Sequence, residues 1–288
     1  LKRFWSLVRR SPAFVKVIVY LLGVILLAAP VVLPLYFWEY ATTAGQTVIG
    51  TPIALFAIFL MCLPVWMRRV HACGRPWQVL GLQGGGHWWR GWGMAFVAGI
   101  VGVALLYGLQ LLLGWAVWVP PDSAVGRYVF EGLLVGFGVG LAEELIFRGW
   151  LLYELEQDFT PTIALWGNAI VFAIAHYLRP LSAILATWPQ FVGLVLLGAA
   201  LVWARRIPWR RDRRRSPITT LGPAAGLHGG LVFAYYQVDV NDLVLSTERV
   251  PEWMTGIGGN PLAGLLGVGF LMVISGITYA ASHRHQRV

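Results

Sequence analysis

Long apolar stretches separated by short polar breaks dominate this chain. Apolar runs fall at about 14–38, 47–67, 93–119, 128–154, 160–178, 183–204, 218–237 and 261–281. Each comes close to or exceeds the roughly 20 residues that an α-helix needs to cross a bilayer. Turn-forming residues lie between them, at Pro76, Pro120-Pro121, Pro217 and Gly258-Gly259. Pro30 and Pro34 predict a kink in the first run, because proline removes a backbone donor. No run mirrors another, which weakens a transporter built from inverted repeats. The pattern predicts an all-α polytopic membrane protein. It would be a bundle of about eight transmembrane helices in a single membrane domain, 1–288.

Composition strengthens that reading. The 288 residues are 58% hydrophobic and only 12% charged, about half the charged fraction of a soluble domain. Fifteen tryptophans suit the belts at a membrane interface. The opening LKRFWSLVRRSPAFVK is basic, but the apolar run at 17–38 is too long for the core of a signal peptide, so we expect a retained span. A first residue of Leu rather than Met leads us to expect a few residues before it. Cys62 and Cys73 form neither a CxxC pair nor a disulfide framework.

The formal charge of +9 has a distribution that explains it. With the N-terminus inside, eighteen of the 22 Lys and Arg residues fall on the inner side. Arg127, Arg179 and Arg249 fall outside, and Arg148 lies within a span. That bias predicts both termini in the cytoplasm. The densest run, RRIPWRRDRRR at 205–215, reads as a cytoplasmic loop anchored by Trp209 against anionic headgroups, rather than as a nucleic-acid site.

One segment breaks the apolar pattern. LAEELIFRGW, at 141–150, carries Glu143, Glu144 and Arg148 inside a predicted span, where each charge costs a few kcal/mol. Glu144 and Arg148 are four residues apart and share a helix face, whereas Glu143 is rotated by about 100°. Arg148 therefore neutralises Glu144 more readily than Glu143, and a less neutralised carboxylate suits a general base or acid. Gly136 and Gly140 precede it on a similar face and would let a second helix approach closely. Of the six histidines, His71, His87, His283 and His285 fall in predicted loops or the tail. His176, four residues after Phe172, and His228, set among small residues, fall within spans and are candidate site residues.

Glu143-Glu144-x-x-x-Arg148, Phe172-x-x-x-His176 and then His228 resemble the three motifs of the CPBP family of membrane proteins, which includes the type II CAAX prenyl endopeptidases and the bacterial Abi-type proteases. The resemblance covers residues 143–232 and implies a catalytic-motif core at about 128–237. It implies an eight-helix intramembrane glutamic endopeptidase with no cofactor and no metal. In that reading Glu143 activates water, His176 assists proton transfer and His228 stabilises the oxyanion, with Glu144, Arg148 and Phe172 supporting the site. The partners implied are a peptide or protein substrate, with or without a lipid modification, and the lipid bilayer, but no nucleic acid. A bacterial inner membrane is the expected setting. One position departs from the pattern: Val232 stands where prenyl-protease members usually carry an Asn donor. Either His228 or a backbone N–H suffices, or another donor such as Asn168 is recruited, or activity is weak.

Two other readings stay open from the residues. Two histidines and a glutamate also form a recognised catalytic zinc set, although no HExxH is present. Intramembrane Glu and His also serve proton relays, which would fit a proton-coupled transporter or a non-catalytic membrane scaffold.

Overall fold

The computed structural model describes residues 2–43, 49–178, 180–208 and 219–283. Arg179, Trp209, most of the arginine run and the tail with His285 lie outside the described residues. The helices are α1 (Lys2–Arg10), α2 (Ala13–Thr43), α3 (Gly50–Val70), α4 (Pro76–Val79), α5 (Gly86–Leu112) and α6 (Val125–Glu144). A π-helical turn, Leu145–Leu151, carries α6 into α7 (Leu152–Leu155). Then follow α8 (Pro161–Ala175), α9 (Leu181–Thr187), α10 (Gln190–Arg205), α11 (Gly222–Asp239), α12 (Glu252–Thr255) and α13 (Leu265–His283). A two-stranded antiparallel ribbon pairs β1 (Ala116–Trp118) with β2 (Val244–Ser246).

Four helices, α2, α3, α5 and α13, are long and apolar enough to cross a membrane, and α9 with α10 makes a fifth if that bent pair is one span. These mark an integral membrane protein. Eight such spans do not emerge among the described residues, for local reasons. Helix α6 carries Arg127, Glu131, Glu143 and Glu144, and α8 has only 15 residues, about 22 Å at 1.5 Å per residue. Other boundaries also shift. Helix α2 runs on through Pro30 and Pro34. Helix α5 starts earlier than the apolar run and stops at Leu112, where Gly114 takes a left-handed conformation (φ 71°), which costs glycine little. The run at 183–204 is broken by a 79° bend before Gln190.

The chain divides into two compact units, Leu1–Val79 with Glu154–Asp158, and the remainder. In the first, Tyr20, Leu63, Trp66 and Met67 form the core. The buried Glu154 carboxylate accepts from Trp66 Nε1 (2.6 Å) and bonds His71 Nε2 (2.9 Å). His71 is therefore not a solvated loop histidine; its side chain is buried against a carboxylate. Glu39 caps the start of α3 by accepting from the backbone of Gly50 and Thr51 and from the Thr51 hydroxyl, satisfying N–H groups that a helix start leaves without partners.

The second unit is built around α11, which lies between α5 and α6. A methyl group added to Gly140 of α6 would sit 2.6 Å from the Ala225 carbonyl, and one added to Gly136 would sit 2.6 Å from that of Gly229. On the other face, Gly226 and Gly230 meet the backbone carbonyls of Trp92 and Phe96 of α5. Backbones this close leave no room for side chains between the helices, as at small-residue interfaces in membranes. His228 sits between these two glycine pairs, and its position is fixed on both sides. In the arginine run, Arg205 donates to the Thr219 hydroxyl (2.7 Å) and Arg206 to the Pro161 carbonyl (2.9 Å), so both also serve the fold.

Candidate active site

The last turn of α6 delivers Glu143 and Glu144 next to each other into different surroundings. Glu144 is sealed, with a side chain that is 0% exposed, whereas that of Glu143 is 30% exposed. Arg148, in the π-helical turn, donates from Nη1 to Glu144 Oε1 at 2.9 Å and from Nη2 to the Gly198 carbonyl of α10 at 3.1 Å. Its guanidinium lies over the Phe172 ring, 4.3 Å from the centroid. A desolvated cation–π contact of this kind is worth about 2 kcal/mol. Phe172 is fully buried and also touches the rings of Phe147, His176 and His228. The π-helical turn had no signal in the sequence; such turns occur frequently at functional sites.

Helix α8 explains the placement of His176. Thr160 caps its start and Pro161 fills the first position, where a missing N–H costs nothing. At its end the backbone N–H of His176 turns back to Ala173. The His176 side chain takes over the Phe172 carbonyl, at 2.8 Å from Nδ1. A carbonyl only accepts, so Nδ1 carries the proton and in the neutral ring Nε2 presents its lone pair. That Nε2 is 3.8 Å from Glu143 Oε2.

His228 approaches from α11. Its Nδ1 is 2.9 Å from Glu144 Oε1, and its Nε2 is 3.9 Å from Glu143 Oε2. An ionised Glu144 accepts, so His228 Nδ1 donates and Nε2 faces Glu143. The sequence offered no sign of the Glu144–His228 bond, which joins residues 84 positions apart. The structure therefore brings Glu143, Glu144, Arg148, Phe172, His176 and His228 together.

Glu143, Phe172, His176 and His228 line a cavity of about 250 Å³. Its walls are mostly apolar, formed by residues such as Leu106, Leu194, Leu231 and Leu271. It is a greasy pocket with a polar end. Val232 lines it too, so this wall carries an apolar side chain where an amide donor would face in. Asn168 does not replace that donor. It is buried away from the cavity, and its Nδ2 is spent on the Phe147 carbonyl at 2.7 Å. Among the described residues no group of three or more His, Cys, Asp or Glu side chains is arranged to hold a metal ion.

Residues 125–237 match the family model described as type II CAAX prenyl endopeptidase Rce1-like. The match covers 113 of the 288 residues and marks a domain similar to this family. The domain runs from the first residue of α6 to the last turns of α11 and so contains every side chain of the cluster. No curated protein and no solved structure matches the chain.

Proposed function

We propose that the chain is an intramembrane endopeptidase in which Glu143 activates the attacking water. The observation that carries this reading is the Glu143 carboxylate with two imidazole Nε2 atoms at 3.8 and 3.9 Å, at the end of an apolar cavity. Each gap is too long for a direct hydrogen bond and suits one bridged by water. Glu143 Oε2 has no direct hydrogen-bond partner among the described residues, so it is available as a base. It takes a proton from water, and the hydroxide attacks the peptide carbonyl. The proton then passes, with His176 as relay, to the nitrogen as the C–N bond breaks. To donate to the oxyanion from Nε2 while Nδ1 donates to Glu144, His228 acts as an imidazolium with Glu144 as counter-charge. The substrate is a peptide whose apolar part fits the cavity, with or without a lipid on it.

The proposed topology counts eight helices, adding α6, α8 and α11 to those long enough by themselves. The basic start and the tail are placed in the cytoplasm of a bacterial inner membrane. Support comes from the Lys and Arg distribution; a reporter fused near Glu248 is expected to read external, and a cytoplasmic signal there breaks the count.

The decisive assay compares peptide cleavage by the purified protein and its Glu143→Gln variant, with and without chelator. Loss of a general base typically costs ~10²–10⁴ in rate, and Gln preserves shape. Full turnover by the variant would overturn the glutamic mechanism. Inactivation by chelator alone would assign the site to zinc.

A further inference from the structure

A second cavity, of about 590 Å³, lies in the same unit at the far end of α11. Its lining includes four carboxylates, Asp239, Asp242, Glu248 and Glu252, and none has an ion-pair partner among the described residues. Two have local hydrogen bonds: Asp239 accepts from Tyr235 (3.3 Å) and Glu252 from the Gly258 N–H (3.1 Å). The guanidinium of Arg249, next to Glu248 in sequence, lies beside Gly114 rather than in the lining. A separate observation concerns Gln110, which also lines this cavity. It is only 4% exposed, and its Nε2 is buried with no hydrogen-bond partner among the described residues. An unsatisfied buried donor is costly and calls for an acceptor. The two cavities share Tyr107 as a wall, and the Tyr235 hydroxyl reaches Gly259 of the second (3.4 Å) from the first.

We propose that this acidic vestibule is a subsite for a basic residue of the peptide held in the neighbouring apolar cavity. It rests on the reading of that cavity as a peptide site. The carboxylates supply the attraction for a Lys or Arg side chain, and Gln110 donates to a backbone carbonyl of the same peptide. An unpartnered amide N–H in the lining suits a peptide carbonyl and not a bare metal ion, which requires oxygen ligands. Helix geometry sets the spacing. His228 and Asp239 are eleven residues apart on α11, about 16 Å at 1.5 Å per residue, or roughly five residues of extended peptide. The preferred substrate therefore combines an apolar segment at the scissile bond with a basic residue about five positions away.

The test uses the purified full chain and labelled apolar peptides that differ only in carrying Lys or the neutral isostere norleucine, stepped three to seven residues to either side of the scissile bond. Binding is measured with Glu143→Gln protein and cleavage with the wild type. We expect a preference for Lys of about three- to tenfold from several exposed charges acting together, weakening with salt. The preference should disappear in D242N/E248Q/E252Q, while norleucine peptides bind as before. Gln110→Met should weaken both peptides alike, by about two- to tenfold. Equal binding of Lys and norleucine peptides overturns the subsite, as does a preference that survives the triple substitution. Displacement of peptide by millimolar Ca²⁺ alone overturns it in favour of a cation site. A Lys preference in binding without any cleavage leaves the vestibule standing and removes the protease; cleavage without a Lys preference does the reverse.

Discussion

Glu143 and Glu144 are neighbours in sequence, yet one looks into a cavity and the other into a sealed lattice of partners. On the sealed side, Arg148, His228 and, through Arg148, the Gly198 carbonyl converge on Glu144. Every strong bond there is within hydrogen-bonding distance. On the cavity side, Glu143 meets its two imidazoles only at 3.8 and 3.9 Å. The difference teaches that one helix turn can place a tightly bonded carboxylate beside a loosely partnered one. The buried ionic network holds His228 through its Nδ1, and the gaps around Glu143 leave it without a direct partner on Oε2 among the described residues. Fixed support behind a loosely coordinated reactive group is the arrangement that preorganised sites require.

The sharpest way to break this comparison is to remove a charge from the sealed side. Arg148→Met leaves Glu144 buried without its guanidinium partner, and breaking a buried pair costs about 3–5 kcal/mol. We expect a large loss of folded yield and thermal stability, in contrast to Glu143→Gln, which should melt as the wild type does. Equal melting of the two variants would erase the distinction. A smaller effect is expected from Gly140→Ala, which drives a methyl group into the Ala225 carbonyl and displaces α11. Overpacking of this kind costs about 1–3 kcal/mol, and because it shifts His228, activity should fall further than stability alone explains. Unchanged kcat would show that α11 can give way without moving the imidazole. Smallest, and with the opposite sign, is Val232→Asn. It restores an amide facing the cavity, and we expect kcat/KM to rise by up to about tenfold, roughly 1.4 kcal/mol of added transition-state stabilisation. No gain would mean that the cavity wall does not reach the developing charge.

The pairing of Glu144 with Arg148 was legible from spacing alone, because a helix brings residues four apart together. So was the close approach at Gly136 and Gly140, since small residues at helical spacing permit little else. The cluster of Glu143, His176 and His228 was legible only through the order of the motifs, since nothing local links three separate helices. What stayed hidden depended on tertiary contacts. The burial of His71 against Glu154 and the bond from Glu144 to His228 join distant residues. Asn168 looked like a spare donor until its carbonyl partner on Phe147 came into view. The bend before Gln190 interrupts an apolar run whose hydropathy gives no hint of a break.

The π-helical turn at Leu145–Leu151 has a consequence for reading this chain. A π turn accommodates one extra residue, so everything beyond it is out of phase with a helix drawn from α6, by about 100°. A helical wheel laid over 125–155 therefore assigns Trp150, Leu151 and Leu152 to the wrong side. Deleting one residue within the turn would, in the same way, re-index the end of the helix while leaving Glu143 and Glu144 upstream of the change.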